Sequence, residues 1–366
     1  MIVSLLADGK RVGISAMSHR ALGNLLAEVM RCARSEGVKV TALQRCDDPE
    51  DHCGDADVET AKDNNSFDAR FASPEVNLVA GTAWLLAREV MEGSLDHVFI
   101  DEAGQMSIAD ALVIATAADN LVLLGDPQQL PQVSRGTHPD EVKASVLRHV
   151  AGDRPVMPPE LGLFLETTWR MHPDVCEPVS RISYEGRLLS APSTATQSVE
   201  DPPFDLPGAG MVWYPIEHLG DRSWSPAEIE VVARLMDGLI GREWHGAEGS
   251  VRTLAVEDVL VIAPYNAQVS HLRQALPHGA RVGTVDKFQG QEAPVSIYSL
   301  ATSTPEDMPR GLDFLFNINR LNVALSRARG LSIVVASPAL LTAHCRKPED
   351  IHRLNALCTV ARIAKA

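Results

Sequence analysis

Apolar residues along this chain fall into two patterns. Short runs dense in Val, Ile, Leu and Ala occur at residues 11–16, 76–80, 97–100, 121–124, 259–263, 296–300 and 331–336. They are nearly continuous rather than alternating, as expected of parallel strands buried on both faces. Between them lie stretches of helical period. Leu22, Leu25, Leu26, Val29 and Met30 recur at i, i+3, i+4 and i+7, which makes one apolar stripe down a helix. Strands alternating with helices predict an α/β fold. Most of the runs end directly in glycine or polar residues. Ligands of open α/β sheets bind beyond the carboxyl ends of the strands, so the chemistry is expected at those ends.

The gaps in the pattern are informative too. Residues 47–68 are polar, acidic and aperiodic, and predict an exposed insertion or mobile loop. Residues 190–210 are rich in Pro, Ser, Thr and Gly, with Pro202, Pro203 and Pro207 excluding a regular helix. Gly152, Pro155, Pro158 and Pro159 interrupt the helical pattern over residues 151–159, which predicts a domain boundary there, with a first domain over 1–153 and a second over 154–366. No internal repeat of fixed period is present.

Composition narrows the class. A chain of 366 residues, 45% of them hydrophobic, has the length and apolar content for two or three domains with cores of their own. No apolar run reaches membrane-spanning length and the N-terminus lacks the pattern of a signal peptide, so a cytoplasmic protein with no membrane partner is expected. The six cysteines form no Cys-x-x-Cys pair and suit free thiols in a reducing compartment. Cys46, His52 and Cys53 are neighbours, but a zinc site there needs a fourth ligand and a usual spacing, and neither is found; the segment reads as an acidic surface loop. The formal net charge of -15 excludes a protein that coats nucleic acid through bulk electrostatics. Contact with a strand must then be local, through a groove of a few Arg, Lys, hydroxyl and backbone groups.

The sharpest chemical signal is the run Val98-Phe99-Ile100-Asp101-Glu102-Ala103-Gly104-Gln105, a strand that ends in two carboxylates. At such an end the first carboxylate can hold Mg²⁺ through water, and the second can polarise a water that attacks a γ-phosphate. Alone, an Asp-Glu pair opening a helix is commonly just a response to the helix dipole. The next apolar run, however, leads into Gly125-Asp126-Pro127-Gln128-Gln129-Leu130-Pro131, a turn that presents two amides at the same predicted edge. An amide can sense a phosphate without adding charge.

These two blocks resemble motifs II and III of superfamily 1 helicases of the Upf and Dna2-like group. The match continues in order along the chain. Thr168-Trp169-Arg170-Met171-His172-Pro173 resembles the group's Tyr-Arg-Met-His-Pro motif, with tryptophan in place of tyrosine. Residues 263–268 resemble the strand-end motif that follows, residues 284–292 motif V, and residues 322–329 motif VI. The resemblance implies two RecA-like parallel-sheet domains with ATP and Mg²⁺ between them and a nucleic-acid strand running across both. It implies catalytic roles for Asp101, Glu102, Gln129, Arg170 and Arg327, with Asp101 also the Mg²⁺ residue. Arg170 and Arg327 would be fixed, permanently charged forks that reach the γ-phosphate; otherwise they are solvated helix arginines. Gly290 and Glu292 would touch the nucleotide, or else form a plain strand-to-helix turn. Tyr265 lies beside the adenine or in the core. Ser18, His19, Gly81, Thr82 and Thr284 would contact single-stranded nucleic acid, although a histidine at such a place is more often a structural hydrogen-bonding group. Trp84 stacks on a base or packs in the core, and the balance falls to the core.

One expected part is absent from the sequence. No Gly-x-x-x-x-Gly-Lys-Ser/Thr occurs, and Gly9-Lys10 runs into Arg11 and a strand, so it reads as a helix-to-strand turn. In the resembling group the phosphate loop lies just upstream of a helix like that over residues 2–7. The chain is therefore expected to begin just after that loop, as a truncated reading frame or an excised piece, with a first domain that lacks its phosphate-loop strand and an exposed backbone edge. ATP affinity should collapse without the loop's amides and lysine. In related bacterial proteins of this motif style the motor is often fused after a RecB-like nuclease, so an upstream nuclease or phosphate-loop segment is an expected partner. The leading reading is the carboxy-terminal motor portion of an ATP-dependent DNA helicase moving 5′ to 3′, inactive as this chain alone. A non-catalytic remnant that binds single strands or a partner is the second reading, and an RNA helicase the third, because residues that contact the 2′-OH are not identifiable from sequence.

Overall fold

The computed structural model describes residues 1–130, 144–152, 154–345 and 347–364. The chain separates into two compact units, Met1–Pro127 with Pro131–Arg154, and Gln128–Leu130 with Pro155–Ala366. The division after Arg154 falls in the stretch that Gly152 and Pro155 interrupt. It is not a single cut, because Gln128–Leu130 belongs with the second unit.

The first unit is a six-stranded, wholly parallel sheet in the order β3-β2-β4-β1-β5-β6, where β1 is Val12–Ala16, β2 Ala42–Arg45, β3 Val58–Ala61, β4 Leu78–Ala80, β5 Leu95–Asp101 and β6 Ala118–Leu123. Helices α1 (Ile2–Ala7), α2 (His19–Glu36), α3 (Asn64–Phe71), α4 (Ala83–Leu86) and α5 (Ile108–Ala115) connect or precede the strands. Central β1 is buried at all five positions, as its unbroken apolar run requires. Helix α2 buries Leu22, Leu26, Val29 and Met30 of the stripe read from the sequence, together with Ala33, while Leu25 is only half-buried. The Ser18 hydroxyl accepts from Ala21 N at its start, and Gly37 closes it at φ 68°, a conformation that glycine adopts without penalty.

Two expectations fail in this unit. Residues 47–68 are not a loop alone, since they hold edge strand β3 and the opening of α3. The sequence of β3, Val-Glu-Thr-Ala, carries no apolar run because an edge strand faces water on most of its surface. Trp84 is not in the core either, for it is 86% exposed. At the opposite edge β6 carries its apolar residues only half-buried, and Leu121 is exposed. The apolar character of β6 thus exceeds what the described part of its unit covers.

The second unit is built on a five-stranded parallel sheet in the order β10-β16-β15-β13-β14. Its strands are β10 (Gly210–Pro215), β13 (Val259–Ala263), β14 (Arg281–Thr284), β15 (Ala293–Ser299) and β16 (Ala328–Ala336). Between them in sequence lie the short strands β11 (Glu243–His245) and β12 (Val251–Thr253), which form an antiparallel ribbon with β9 (Ser198–Val199). Two further pieces, β7 (Thr167–Thr168) and β8 (Leu189–Ser190), pair in parallel. The central strands β13, β15 and β16 are buried along almost their whole length and divide the core into two apolar layers, one on each face. Both of these larger sheets are parallel and flanked by helices, so the chain is an α/β protein of two parallel-sheet units. Among the described residues, no helix is long and apolar enough to cross a membrane.

Candidate nucleotide and nucleic-acid site

In the first unit the predicted residues collect along one edge of the sheet. Ala16 of β1 is in register with Asp101 of β5, so Ser18 and His19 follow β1 beside the carboxylate pair. Ile14 is in register with Ala80, which places Gly81 and Thr82 at the same edge beyond β4. Leu123 pairs with Ile100, and Gly125 and Asp126 follow. Parallel register alone produces this convergence, because every strand ends on the same side.

The carboxylate turn is tightly built. Asp101 is half-buried at the end of β5, and its Oδ1 accepts the Glu102 amide at 2.9 Å. Burial pushes the Asp101 carboxyl above the usual carboxylate range, with that amide opposing it. Glu102 sits at φ 54°, in the left-handed region that a residue with a side chain adopts at a cost of about 1–3 kcal/mol. Its Oε2 accepts from Gln105 Nε2 at 3.0 Å. The turn is locked to the next one: Ala103 N donates to Leu124 O and Leu124 N to Ile100 O, both at 2.8 Å. Two glycines make the approach possible. A Cβ on Gly104 would lie 2.6 Å from the Asp126 carbonyl oxygen, and one on Gly125 2.9 Å from Ala103 N. The glycines of these two blocks are there for a backbone-to-backbone contact that no side chain would allow.

The residues expected to touch a strand have distinct local roles. Ser18 caps α2 through its oxygen, leaving its hydroxyl proton to donate. Thr82 occupies the N-cap position of α4 without making a capping bond. Gly81 is held close to Leu85, where a Cβ would clash. His19 begins α2, half-buried, and its Nδ1 is buried without a hydrogen-bond partner.

In the second unit the predicted residues divide between two edges of the sheet. Thr284 ends β14 and Tyr265 follows β13, level with each other through the Ala263 to Thr284 register. Tyr265 is 6% exposed and tilts against Phe314 with ring centroids 5.5 Å apart, so of its two readings the structure places it in the core. Burial also raises its hydroxyl above the ordinary tyrosine value. Gly290 and Glu292 lie at the opposite edge, before β15, where Gly290 takes φ 73°. Glu292 joins two arginines: Arg170 Nε donates to its Oε2 at 2.6 Å, while Arg329 Nε lies 3.1 Å from its Oε1 as an ion pair without a hydrogen bond's alignment. Gln129 reaches the loop before Gly290, where Gln289 Nε2 donates to its Oε1 at 3.5 Å, and Asn319 Nδ2 donates to its backbone oxygen at 2.6 Å.

Arg327 departs from its reading as a solvated helix arginine. It is not solvated, being 1% exposed. Its guanidinium donates to Val323 O at 3.0 Å, Gln291 O at 3.1 Å, Phe288 O at 3.4 Å and Ser326 Oγ at 3.1 Å. In this arrangement it clamps the loop before β15 to the helix Ile318–Leu325. Arg329, which the sequence reading passed over, is the half-exposed arginine at Glu292. Arg327 lies just before β16 and Arg329 is its second residue, so strand periodicity, which sets residues two apart on one face, gave no signal that their surroundings would differ.

Comparison with known proteins bears on these blocks directly. An AAA-domain family model matches residues 144–339, more than half of the chain, and a second AAA-domain model matches residues 50–134. The chain belongs to the AAA-domain family. Among its relatives are the DNA polymerase alpha-associated DNA helicase A of Saccharomyces cerevisiae, 30% identical over 67% of this chain and 39% of the relative. The human RNA helicase Mov10l1 is 30% identical over 69% of this chain and 23% of the relative. The DNA replication ATP-dependent helicase/nuclease JHS1 of Arabidopsis thaliana is 23% identical over 93% of this chain and 26% of the relative. These matches place the chain among superfamily 1 helicases, a family of ATP-dependent enzymes. The chain spans between 23% and 39% of the length of these three relatives.

Within this helicase-family chain, the burial of Asp101 makes a testable statement about stability. A carboxyl whose folded-state pKa is raised favours its neutral form in the fold, so its charge opposes folding at neutral pH and ceases to do so below the ordinary carboxylate range. Asp101→Asn keeps an oxygen for the Glu102 amide. It should therefore melt above the parent chain at about pH 7, with the gap closing towards about pH 4. An Asn variant that melts below the parent at neutral pH would show that Asp101 is there for the fold rather than for a cation.

Proposed function

We propose that this chain supplies the strand-contacting and hydrolysis-coupling parts of an ATP-dependent superfamily 1 helicase acting on single-stranded DNA. The carrying observation is the convergence, at one sheet edge of the first unit, of Asp101 and a left-handed Glu102 with Ser18, His19, Gly81 and Thr82. An all-oxygen donor such as the Asp101 carboxyl suits magnesium, and its half-buried place favours a cation nearby. Bound Mg²⁺ would neutralise charge on the phosphates of ATP. Asp101 would hold that ion through water, and Glu102 would orient a water and accept its proton at the carboxylate. Gln129, seated against Gln289, would sense the phosphate through an uncharged amide. Arg170 would serve as the phosphate-reaching fork, with Glu292 holding it in place. Arg327 positions the loop of Gly290 and Glu292 through the carbonyls it binds. Ser18, Thr82 and Thr284 offer hydroxyls to the phosphates of a strand, contacts that position it without reading bases.

The exposed edge of β6 and the absence of a Gly-x-x-x-x-Gly-Lys-Ser/Thr block from these residues support a further part of the reading. The phosphate cradle would come from residues outside this sequence, in a preceding segment or a separate chain. A polypeptide of these 366 residues should accordingly bind a single-stranded oligonucleotide yet show no strand-stimulated ATPase above background. Fluorescence anisotropy and phosphate release on one preparation check both halves, with Thr82→Ala expected to weaken binding by roughly fivefold, the loss of about one hydrogen bond. Hydrolysis that Glu102→Gln abolishes would overturn the need for an outside cradle. Tighter binding of RNA than of DNA of the same length would overturn the choice of DNA.

A further inference from the structure

His19, which stands at the same sheet edge as Asp101, and Cys46 and Asp51 each bring one potential ligand atom to within 4.8 Å of the others. They arrive from different places. His19 is the first residue of α2, Cys46 follows β2, and Asp51 closes the short 3-10 turn Pro49–Asp51. The loop that carries Cys46 and Asp51 is pinned rather than draped. Gln44, fully buried, donates from Nε2 to Asp51 O and accepts from Cys53 N at Oε1, both at 3.0 Å. Gly23, one turn beyond His19, lets the loop close on the helix, since a Cβ there would already lie 3.4 Å from the Cys53 Cα.

One buried polar atom among these residues points to a ligand. The His19 Nδ1 atom is buried and has no hydrogen-bond partner, a state that buried polar atoms rarely tolerate. The Cys46 thiol is fully buried and donates to Asp48 O at 3.0 Å.

We propose that His19, Cys46 and Asp51 form a binding site for a divalent, thiophilic cation of the zinc class. The donor set of one imidazole nitrogen, one sulfur and one carboxylate oxygen suits a borderline-soft ion and not magnesium, which takes oxygen. Three protein ligands leave a fourth tetrahedral position to water. On binding, the Cys46 thiol releases its proton to solvent and exchanges its contact with Asp48 O for a metal-sulfur bond. The ion would tie the acidic segment to the first turn of α2, beside Ser18.

Cobalt(II) titrated into the full chain, after a chelator has stripped it, reads this site directly. The expected result is a thiolate-to-cobalt charge-transfer band together with the visible bands of a four-coordinate ion, both displaced by zinc. Cys46→Ser should lose the charge-transfer band while Cys32→Ser, lower on α2, keeps it. Asp51→Asn, which retains the thiol, should weaken cobalt binding by at least about tenfold. His19→Ala should do the same. A band that survives Cys46→Ser, an Asp51→Asn variant that binds as tightly as the parent, or no band with cobalt in excess would each overturn the site. If Cys46→Ser fails to fold, the Asp51→Asn and His19→Ala titrations decide alone.

Discussion

Arg327→Ala is expected to lower the stability of the second unit by on the order of 3 kcal/mol, a fall of roughly 6–12 °C in its melting transition. The guanidinium is 1% exposed and donates to three backbone carbonyls and a serine hydroxyl. Removing it leaves Val323 O, Phe288 O and Gln291 O in a dry interior, where a bond to a charged donor is worth about 1.5–3 kcal/mol and an orphaned acceptor about 1–3. The losses overlap, so they do not sum. Arg170→Ala supplies the contrast: its ion pair with Glu292 is about a third exposed on both sides, and such pairs contribute about 0–1 kcal/mol. Urea or thermal unfolding of the two variants side by side checks the difference. Equal losses would mean that Arg327 is not the clamp described. The same comparison guards a functional reading, because a defect in Arg327→Ala counts as loss of a phosphate contact only after its effect on the loop of Gly290 and Glu292 is removed.

Glu228→Ala should be at least as damaging, by about 3–5 kcal/mol, since it removes the central acceptor of a fully buried hydrogen-bond network and leaves its partners unpaired. Glu228 lies on the helix Pro226–Leu239 and is 0% exposed. Its Oε1 meets His218 Nε2 at 3.0 Å, and its Oε2 accepts from Ser299 Oγ at 2.5 Å and from Ala301 N at 2.9 Å. The other nitrogen of His218 faces Asp221 Oδ2 at 3.0 Å and Ser303 Oγ at 2.8 Å. Ala301 stands at φ 64°, a conformation that an alanine keeps only when its surroundings impose it. Truncating Glu228 thus strands an imidazole, a hydroxyl and a strained amide together, in the turn that leaves β15. Glu228→Gln preserves one oxygen acceptor and should fall between the parent and Glu228→Ala in denaturant unfolding. An alanine variant within about 1 kcal/mol of the parent would show that the network is dispensable.

Much of the working part of this molecule was legible in one dimension. The carboxylate strand, the Gly125 turn and the blocks around Arg170, Gly290 and Arg327 are short, ordered runs, and the structure puts those of the first unit at one sheet edge. The strands β1, β13 and β16 were readable because a strand buried on both faces must be apolar throughout. Strands β2, β3 and β14 were not, because Gln44 in β2, the water-facing side of β3 and the glycine of β14 break the run. Trp84 was misplaced for a related reason: large aromatics are mostly buried on average, and nothing in the neighbouring residues marks the exception.

By itself the sequence determined the α/β class, the order of motifs and the positions of Asp101, Glu102 and their glycines, all of which depend on residues within a few places of one another. Tertiary structure alone decided that Arg327 is buried while Arg329 meets Glu292, that Tyr265 lies in the core, and that His19 completes a ligand set with Cys46 and Asp51. Strand periodicity and turn chemistry are local and leave a local trace. The partner of a buried guanidinium or imidazole is chosen by which strands end side by side, and that pairing is encoded only in how the whole sheet assembles.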